Sequence, residues 1–277
     1  STAANFSGTI LSSMTPNVAL STLTVGLLSP LDPNTTYYFR VGSLNWNSAT
    51  HYALVGASAT LAGHPGPIAP MFYSVFSSSL SAQWTAGSPA NPTGTRYRLE
   101  GSSTAFAGGT AIVTSNTFNV FGALSGLLPN TTYELRVTAL NRNNVPAPTP
   151  LASTSTLAGL LQAPGEPFSS VYASSATAAW TALPASPPDA SSKTAEGYVL
   201  EASSTNFGAL APGGAVLSSA TPSVLHSSLT LTGLLPNTTY YFRVASLNWN
   251  SAPHFADLGS TSTLPSLISG LQAWGMF

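Results

Sequence analysis

Cysteine is absent from this chain, and charge is scarce. Without cysteine there is no disulfide framework, no thiol nucleophile and no thiolate for a metal. Seven basic and eight acidic side chains make up 5% of 277 residues, where about 25% is usual. A formal net charge of −1 provides nothing that steers toward nucleic acid or an anionic membrane. A surface so poor in charge also lacks the ordinary defence against association, so other copies, glycans or a dense matrix must cover it. No apolar run reaches about 18 residues, so no membrane-spanning helix is expected, and no secretory leader is visible. The chain starts at Ser1 rather than Met, as expected of a processed protein or a segment of a longer one. Helical periodicity is missing as well. Ser, Thr, Ala, Gly and Pro dominate, and hydrophobic content of 43% is enough for a real core. That balance suits short strands joined by turns.

The chain repeats itself. "LLPNTTYYFRVASLNWNSA" at Leu234–Ala252 returns as "LDPNTTYYFRVGSLNWNSA" at Leu31–Ala49, and more loosely as "LLPNTTYELRVTALNRNNV" at Leu127–Val145. The motif prolines, Pro33, Pro129 and Pro236, lie 96 and 107 residues apart. A second marker, "WTA", begins at Trp84 and Trp180, again 96 apart. A solenoid unit has roughly 20–50 residues. A period near 100 is the size of one small β-sandwich, so whole domains stand in tandem.

Inside each repeat the period is two. In "TYYFRVASLN", Tyr240, Phe242, Val244 and Ser246 share one face, as in a strand buried on one side. Thr22–Leu28, Ser228–Leu234, Ala176–Leu183 and Gly197–Ser203 are further strand candidates, separated by Gly, Pro and Asn. The expected class is all-β. In "PNTTY" the proline presets a turn, Asn tolerates its tighter position, and the threonines restart an extended chain. Tyr37, Tyr133 and Tyr240 follow, each able to bury its ring and bond its hydroxyl to backbone.

A Trp on an early strand, then "L-x-P-N-T-x-Y", then "RV-x-x-L-N" closely resembles the fibronectin type III domain over nearly the whole chain. The resemblance implies tandem seven-stranded sandwiches with Trp84 and Trp180 in the core. It adds the corner tyrosines Tyr37, Tyr133 and Tyr240 and the leucines Leu31, Leu128 and Leu235 to that core. The strand after each tyrosine would be the sixth, F, and "NWNSA" would open the loop between F and the seventh strand, G. Residues 63–158 and 159–265 are the expected complete domains. Residues 1–62 form a partial one, because "ANFSGTILSSMTP" aligns with Thr205–Pro222 and no "WTA" precedes it. Residues 266–277 read as the start of a next domain or as a donor strand. The ends are either a window cut from a longer array or an open head and an apolar tail that join copies. Deleting 266–277 should abolish assembly under the second reading.

No catalytic pattern is present. His51, His64, His226 and His254 lack zinc-site spacing, and the acids are scattered, with Glu100 and Glu201 as equivalents on the third strand of their respective repeats. No catalytic, cofactor or metal residue is assigned. The best candidates are Trp46 with Asn45 and Asn47, and Trp249 with Asn248 and Asn250, as exposed loop contacts for a ligand or a neighbouring sandwich. Trp274 and Phe277 are tail candidates. Domain two carries Arg142 instead of Trp, so the fold does not require the indole. Asn5, Asn34, Asn130 and Asn237 stand in glycosylation sequons, though turn chemistry alone explains three of them. The expected function is a secreted or cell-surface structural protein that assembles with its own copies into a fibre, sheath or surface layer. An adhesion or carbohydrate-binding module acting on polysaccharide is the alternative, and a passive spacer is a third.

Overall fold

The computed structural model describes residues 1–27, 29–107, 112–184, 194–208 and 216–267. Every regular element among them is a strand, and no helix there could cross a membrane. The first repeat supplies β1 (Thr36–Leu44) and β2 (Thr50–Ala59). The second supplies β3 (Pro67–Val75), β4 (Ser79–Trp84), β5 (Arg96–Ser102), β6 (Ile112–Thr117), β7 (Phe121–Ser125), β8 (Thr132–Leu140) and β9 (Pro146–Ser155). The third supplies β10 (Phe168–Val171), β11 (Ser175–Ala179), β12 (Gly197–Ser203), β13 (Val216–Thr221), β14 (Ser228–Thr232), β15 (Thr239–Leu247) and β16 (Pro253–Ser262).

Repeats two and three each build a three-stranded and a four-stranded sheet in the same order, β3-β4-β7 with β6-β5-β8-β9, and β10-β11-β14 with β13-β12-β15-β16. This is the tandem fibronectin type III-like sandwich that the motifs imply. Contacts divide the chain into two compact units, 1–74 with 80–125 and 134–153, and 75–79 with 126–133 and 154–277. The first unit holds repeat one with most of repeat two, and the second holds repeat three with the remaining short segments of repeat two.

Alternation explains the third sandwich. On β15 Tyr240, Phe242, Val244 and Ser246 are buried on one face, with Ala245 also buried on the other, and β12 and β11 add Tyr198, Leu200, Ala176 and Ala178. Trp180 stands edge-on to Tyr198 with ring centroids 5.3 Å apart, and Phe168 stands edge-on to Phe242 at 5.0 Å. Trp84 is as deeply buried in repeat two. Each corner tyrosine accepts a backbone N–H through its hydroxyl at 3.0 Å, Tyr37 from Asp32, Tyr133 from Leu128 and Tyr240 from Leu235.

Two sequence expectations are corrected. The core leucines at the turn are Leu127 and Leu234, one position earlier than Leu128 and Leu235. Leu128 and Leu235 give their N–H to the tyrosine, and Leu235 points its side chain to solvent. The stretch from Thr22 is irregular rather than a strand, although Ser228–Thr232 is β14. A strand needs a partner, and β14 has β11 while the first repeat contributes no such neighbour among the described residues.

The same lack leaves the first repeat's core open. β1 and β2 share a bulge with β15 and β16, where Gly56 and Gly259 adopt positive φ and one extra residue bows out of register. That extra residue is buried as Leu258 in the third sandwich, and exposed as Val55 in the first repeat. Trp180→Ala should destabilise the chain by about 3–5 kcal/mol, and Tyr240→Phe by about 1 kcal/mol. Thermal unfolding of the full chain measures both, and a Tyr240→Phe loss as large as that of Trp180→Ala would contradict the hydroxyl's limited role.

Candidate functional site

The repeated motif builds a joint. Asn34, Asn130 and Asn237 adopt φ of 46°, 50° and 50°, a left-handed position that asparagine tolerates better than most residues. Each backbone N–H donates to a leucine carbonyl past the G strand, Leu61 at 3.0 Å, Leu157 at 3.0 Å and Leu264 at 3.1 Å. Thr60, Thr156 and Thr263 brace the turn, their hydroxyls donating to the carbonyls of Asp32, Leu128 and Leu235 at 2.6 Å. The backbone is satisfied within the repeat, so the asparagine amide is free to reach outward.

It reaches the following repeat. Asn34 Nδ2 donates to Thr95 Oγ1 at 2.7 Å, and Asn34 Oδ1 accepts the Arg142 N–H at 2.8 Å. One repeat later, Asn130 Nδ2 donates to Glu196 Oε1 at 3.0 Å, and Asn130 Oδ1 accepts the Trp249 N–H at 3.0 Å. A second asparagine answers from the F–G loop. Asn141 Oδ1 folds its own loop by accepting from Asn143 and Val145, and its Nδ2 donates back to the Thr60 carbonyl at 3.0 Å. Asn248 repeats the arrangement, accepting from Asn250 and Ala252 and donating to the Thr156 carbonyl at 3.0 Å. All four amides are buried, Asn130 completely. The two joints thus share three side-chain hydrogen bonds made by buried amides, and breaking one leaves a buried polar group unsatisfied.

The structure brings together some of the expected residues. Asn248 and Trp249 meet Asn130 at the second joint, and the Asn250 side-chain amide approaches Thr154 at 3.5 Å. Only the backbone of Trp249 carries the contact, and its indole is 53% exposed. Arg142 donates from the same backbone position and adds its Nε, 3.4 Å from the Asn34 carbonyl, so the backbone bond is the part that both joints share. Asn45 folds its own loop like its counterparts, accepting from Asn47 and Ala49, but it is exposed, and the adjacent Trp46 indole is fully so. Trp274 and Phe277 lie outside the described residues. Of the sequon asparagines, Asn5 and Asn237 are exposed, while Asn34 and Asn130 bury the Nδ2 atom a glycan would need.

A second recurrent arrangement went unread in the sequence. Arg243 lies between the rings of Phe207 and Phe255, at 3.9 and 3.8 Å from their centroids, and pairs with Glu201 at 2.8 Å. Arg136 lies over Phe106 at 4.1 Å and pairs with Glu100 at 2.8 Å. Arg40 lies between Phe6 and Tyr52 at 4.2 and 3.8 Å. The signal was the Arg in every "RV" of the repeat, with an aromatic fixed upstream at Phe6, Phe106 and Phe207. Burial alone would push the Glu100 carboxyl up, but the hydrogen bond from Arg136, the charges of Arg98 and Arg136 and the Thr138 hydroxyl hold it below its ordinary value. The histidines serve locally, with His254 Nδ1 2.7 Å from the Ala158 carbonyl and His226 Nδ1 2.8 Å from Thr221 Oγ1. Among the described residues no three His, Asp or Glu side chains could share a metal.

The class of fold is tandem fibronectin type III-like. Solved structures of similar shape include a two-domain fibronectin type III segment of chicken tenascin, 20% identical, covering 70% of this chain and 98% of its own, with a TM-score of 0.39. The FN1–FN3 domains of chicken CNTN1 are 18% identical, covering 83% of this chain and 77% of their own, with a TM-score of 0.32. No protein-family model matches the chain, and no curated protein sequence does.

Two outcomes follow from the geometry. Asn130→Ala should speed hydrogen exchange of the Trp249 amide about tenfold, since its acceptor is gone, whereas Asn237→Ala should leave that amide protected. Equal exchange in both variants would dissolve the joint. Because the Glu100 carboxyl is held low in the folded chain, its stabilisation is present above about pH 4.3 and fades as pH falls through the folded value. Glu100→Gln should therefore flatten the acid limb of a stability-versus-pH curve, and an unchanged limb would show that Glu100 does not drive it.

Proposed function

We propose that this chain is a non-catalytic, secreted or surface-exposed structural array whose sandwiches assemble into a fibre, sheath or surface layer. One observation carries the reading. The same asparagine joint, with the same three bonds, recurs between repeats one and two and between repeats two and three. A joint used twice with one chemistry sets a fixed step from sandwich to sandwich, as a load-carrying or tiling protein requires, and buries loop residues that a binding module would leave free. Scarce charge supports the same reading, because few repulsive or strongly hydrated groups stand between copies.

A second reading has its own observation. The Trp46 and Trp249 indoles are exposed and superfluous to the joint, so they are free to stack on sugar rings or serve as anchors in a protein interface. Electron microscopy of the native material tests the first reading: regular filaments or sheets are expected, and dispersed flexible particles would overturn it. Trp249→Ala separates the two. Assembly kept and polysaccharide binding lost would favour adhesion, and weakened assembly with no sugar affinity in the parent chain would favour packing.

A further inference from the structure

The joint asparagines are buried where both halves are present and exposed where one half stands alone. Asn34, Asn130, Asn141 and Asn248 are all buried. Asn237, on the same turn of repeat three, and Asn45, at the head of the same loop of repeat one, are exposed. Asn237 already has the joint's φ, its N–H already rests on the Leu264 carbonyl, and Thr263 already braces the turn. The Asn45 loop is likewise preformed, closed by Asn45 Oδ1 accepting from Asn47 and Ala49. Among the described residues neither Asn237 Oδ1 nor Asn45 Nδ2 has a partner, and each is the group that the other half of the joint engages.

We propose that the Asn45–Ala49 loop of one copy docks on the Pro236–Thr238 turn of a second copy, continuing the internal joint from chain to chain. The Trp46 N–H of the incoming copy donates to Asn237 Oδ1, as Trp249 does to Asn130 and Arg142 to Asn34. Asn45 Nδ2 donates to the Thr263 carbonyl, as Asn141 does to Thr60 and Asn248 to Thr156. Thr95 and Glu196 precede β5 and β12, and among the described residues the first repeat has β1 and β2 alone, so the bond they accept is not assigned to this contact. The contact between copies thus uses two of the three bonds. It is head-to-tail, so it propagates rather than closing as a symmetric dimer would. This inference rests on the structural-array reading and names the contact that reading leaves open.

Two conservative variants isolate it. Asn45→Asp keeps the oxygen that folds its own loop and removes the Nδ2 donor. Asn237→Gly keeps the positive φ and removes the amide. Sedimentation of the full chain should show association rising with concentration, weakened about tenfold or more by each variant. An equimolar mixture should recover dimers that grow no further, because Asn45→Asp retains a sound turn and Asn237→Gly a sound loop. A parent chain that stays monomeric at the highest attainable concentration would overturn the proposal. So would association that both variants leave unchanged, and if native filaments persisted in that case the array reading would survive through other contacts. Dimers of the expected kind without filaments in the native material would uphold this contact and sink the filament.

Discussion

One asparagine in a left-handed turn makes the tandem arrangement possible. At Asn34 and Asn130 the backbone conformation turns the chain into the strand that follows, β1 or β8, while the side-chain amide reaches the next repeat. The backbone N–H of the turn is satisfied by its own repeat, through the Leu61 or Leu157 carbonyl, and the Thr60 or Thr156 hydroxyl braces it, so the side-chain amide can offer both a donor and an acceptor to the next repeat. An aspartate could supply the acceptor but not the donor, and a serine is a poorer resident of that φ. The joint needs a residue that is at once a good left-handed turn former and a two-way hydrogen-bonding group, and asparagine is the side chain that is both. The F–G asparagines Asn141 and Asn248 meet the same demand from the other side, with the oxygen spent on the loop and the nitrogen on the neighbour.

The poverty of charge is consistent with a protein that relies on such neutral amides. Where charge is kept it is boxed in. Arg40, Arg136 and Arg243 account for three of the seven basic residues, and each lies against aromatic rings. An arginine held over ring faces covers the outer side of its strand with an apolar stem while its guanidinium is still matched. Glu100 and Glu201 answer Arg136 and Arg243 from the adjacent strand, so these charges hold sheet to side chain within a repeat rather than repeat to repeat. Between repeats the bonds centre on asparagine amides, with the Glu196 carboxylate as one acceptor, while the ion pairs of Glu100 and Glu201 stay within a repeat.

Much of this was legible in the residues. The period of two in "TYYFRVAS" fixed which face of β15 is buried, and the quoted strand "GYVLEAS" is β12 residue for residue. The corner tyrosines stand where the turn chemistry put them. What failed did so for reasons of partnership. Thr22–Leu28 alternates as well as β14 does, but alternation describes a face and cannot supply the neighbouring strand that makes an extended segment a strand. Leu128 and Leu235 were misplaced by one residue because the position beside a proline looks anchored, when the tyrosine hydroxyl claims the N–H there and turns the side chain outward. The joint itself was invisible because its bonds run between residues 61 to 119 positions apart, although both halves are motifs of the sequence.

The repeated loop motif is divided atom by atom. In "NWNS" the first asparagine's side chain and the second residue's backbone belong to the joint, which is why Arg142 can stand where Trp249 and Trp46 stand. The indole is therefore the one part of the loop that the array does not specify. Single exposed apolar side chains are ordinary on folded surfaces, so the exposures of 105% at Trp46 and 53% at Trp249 leave the rings available without assigning them a contact. The ring and the joint use different atoms of the same loop, so a variant at the ring and a variant at the asparagine act on separable properties of one protein.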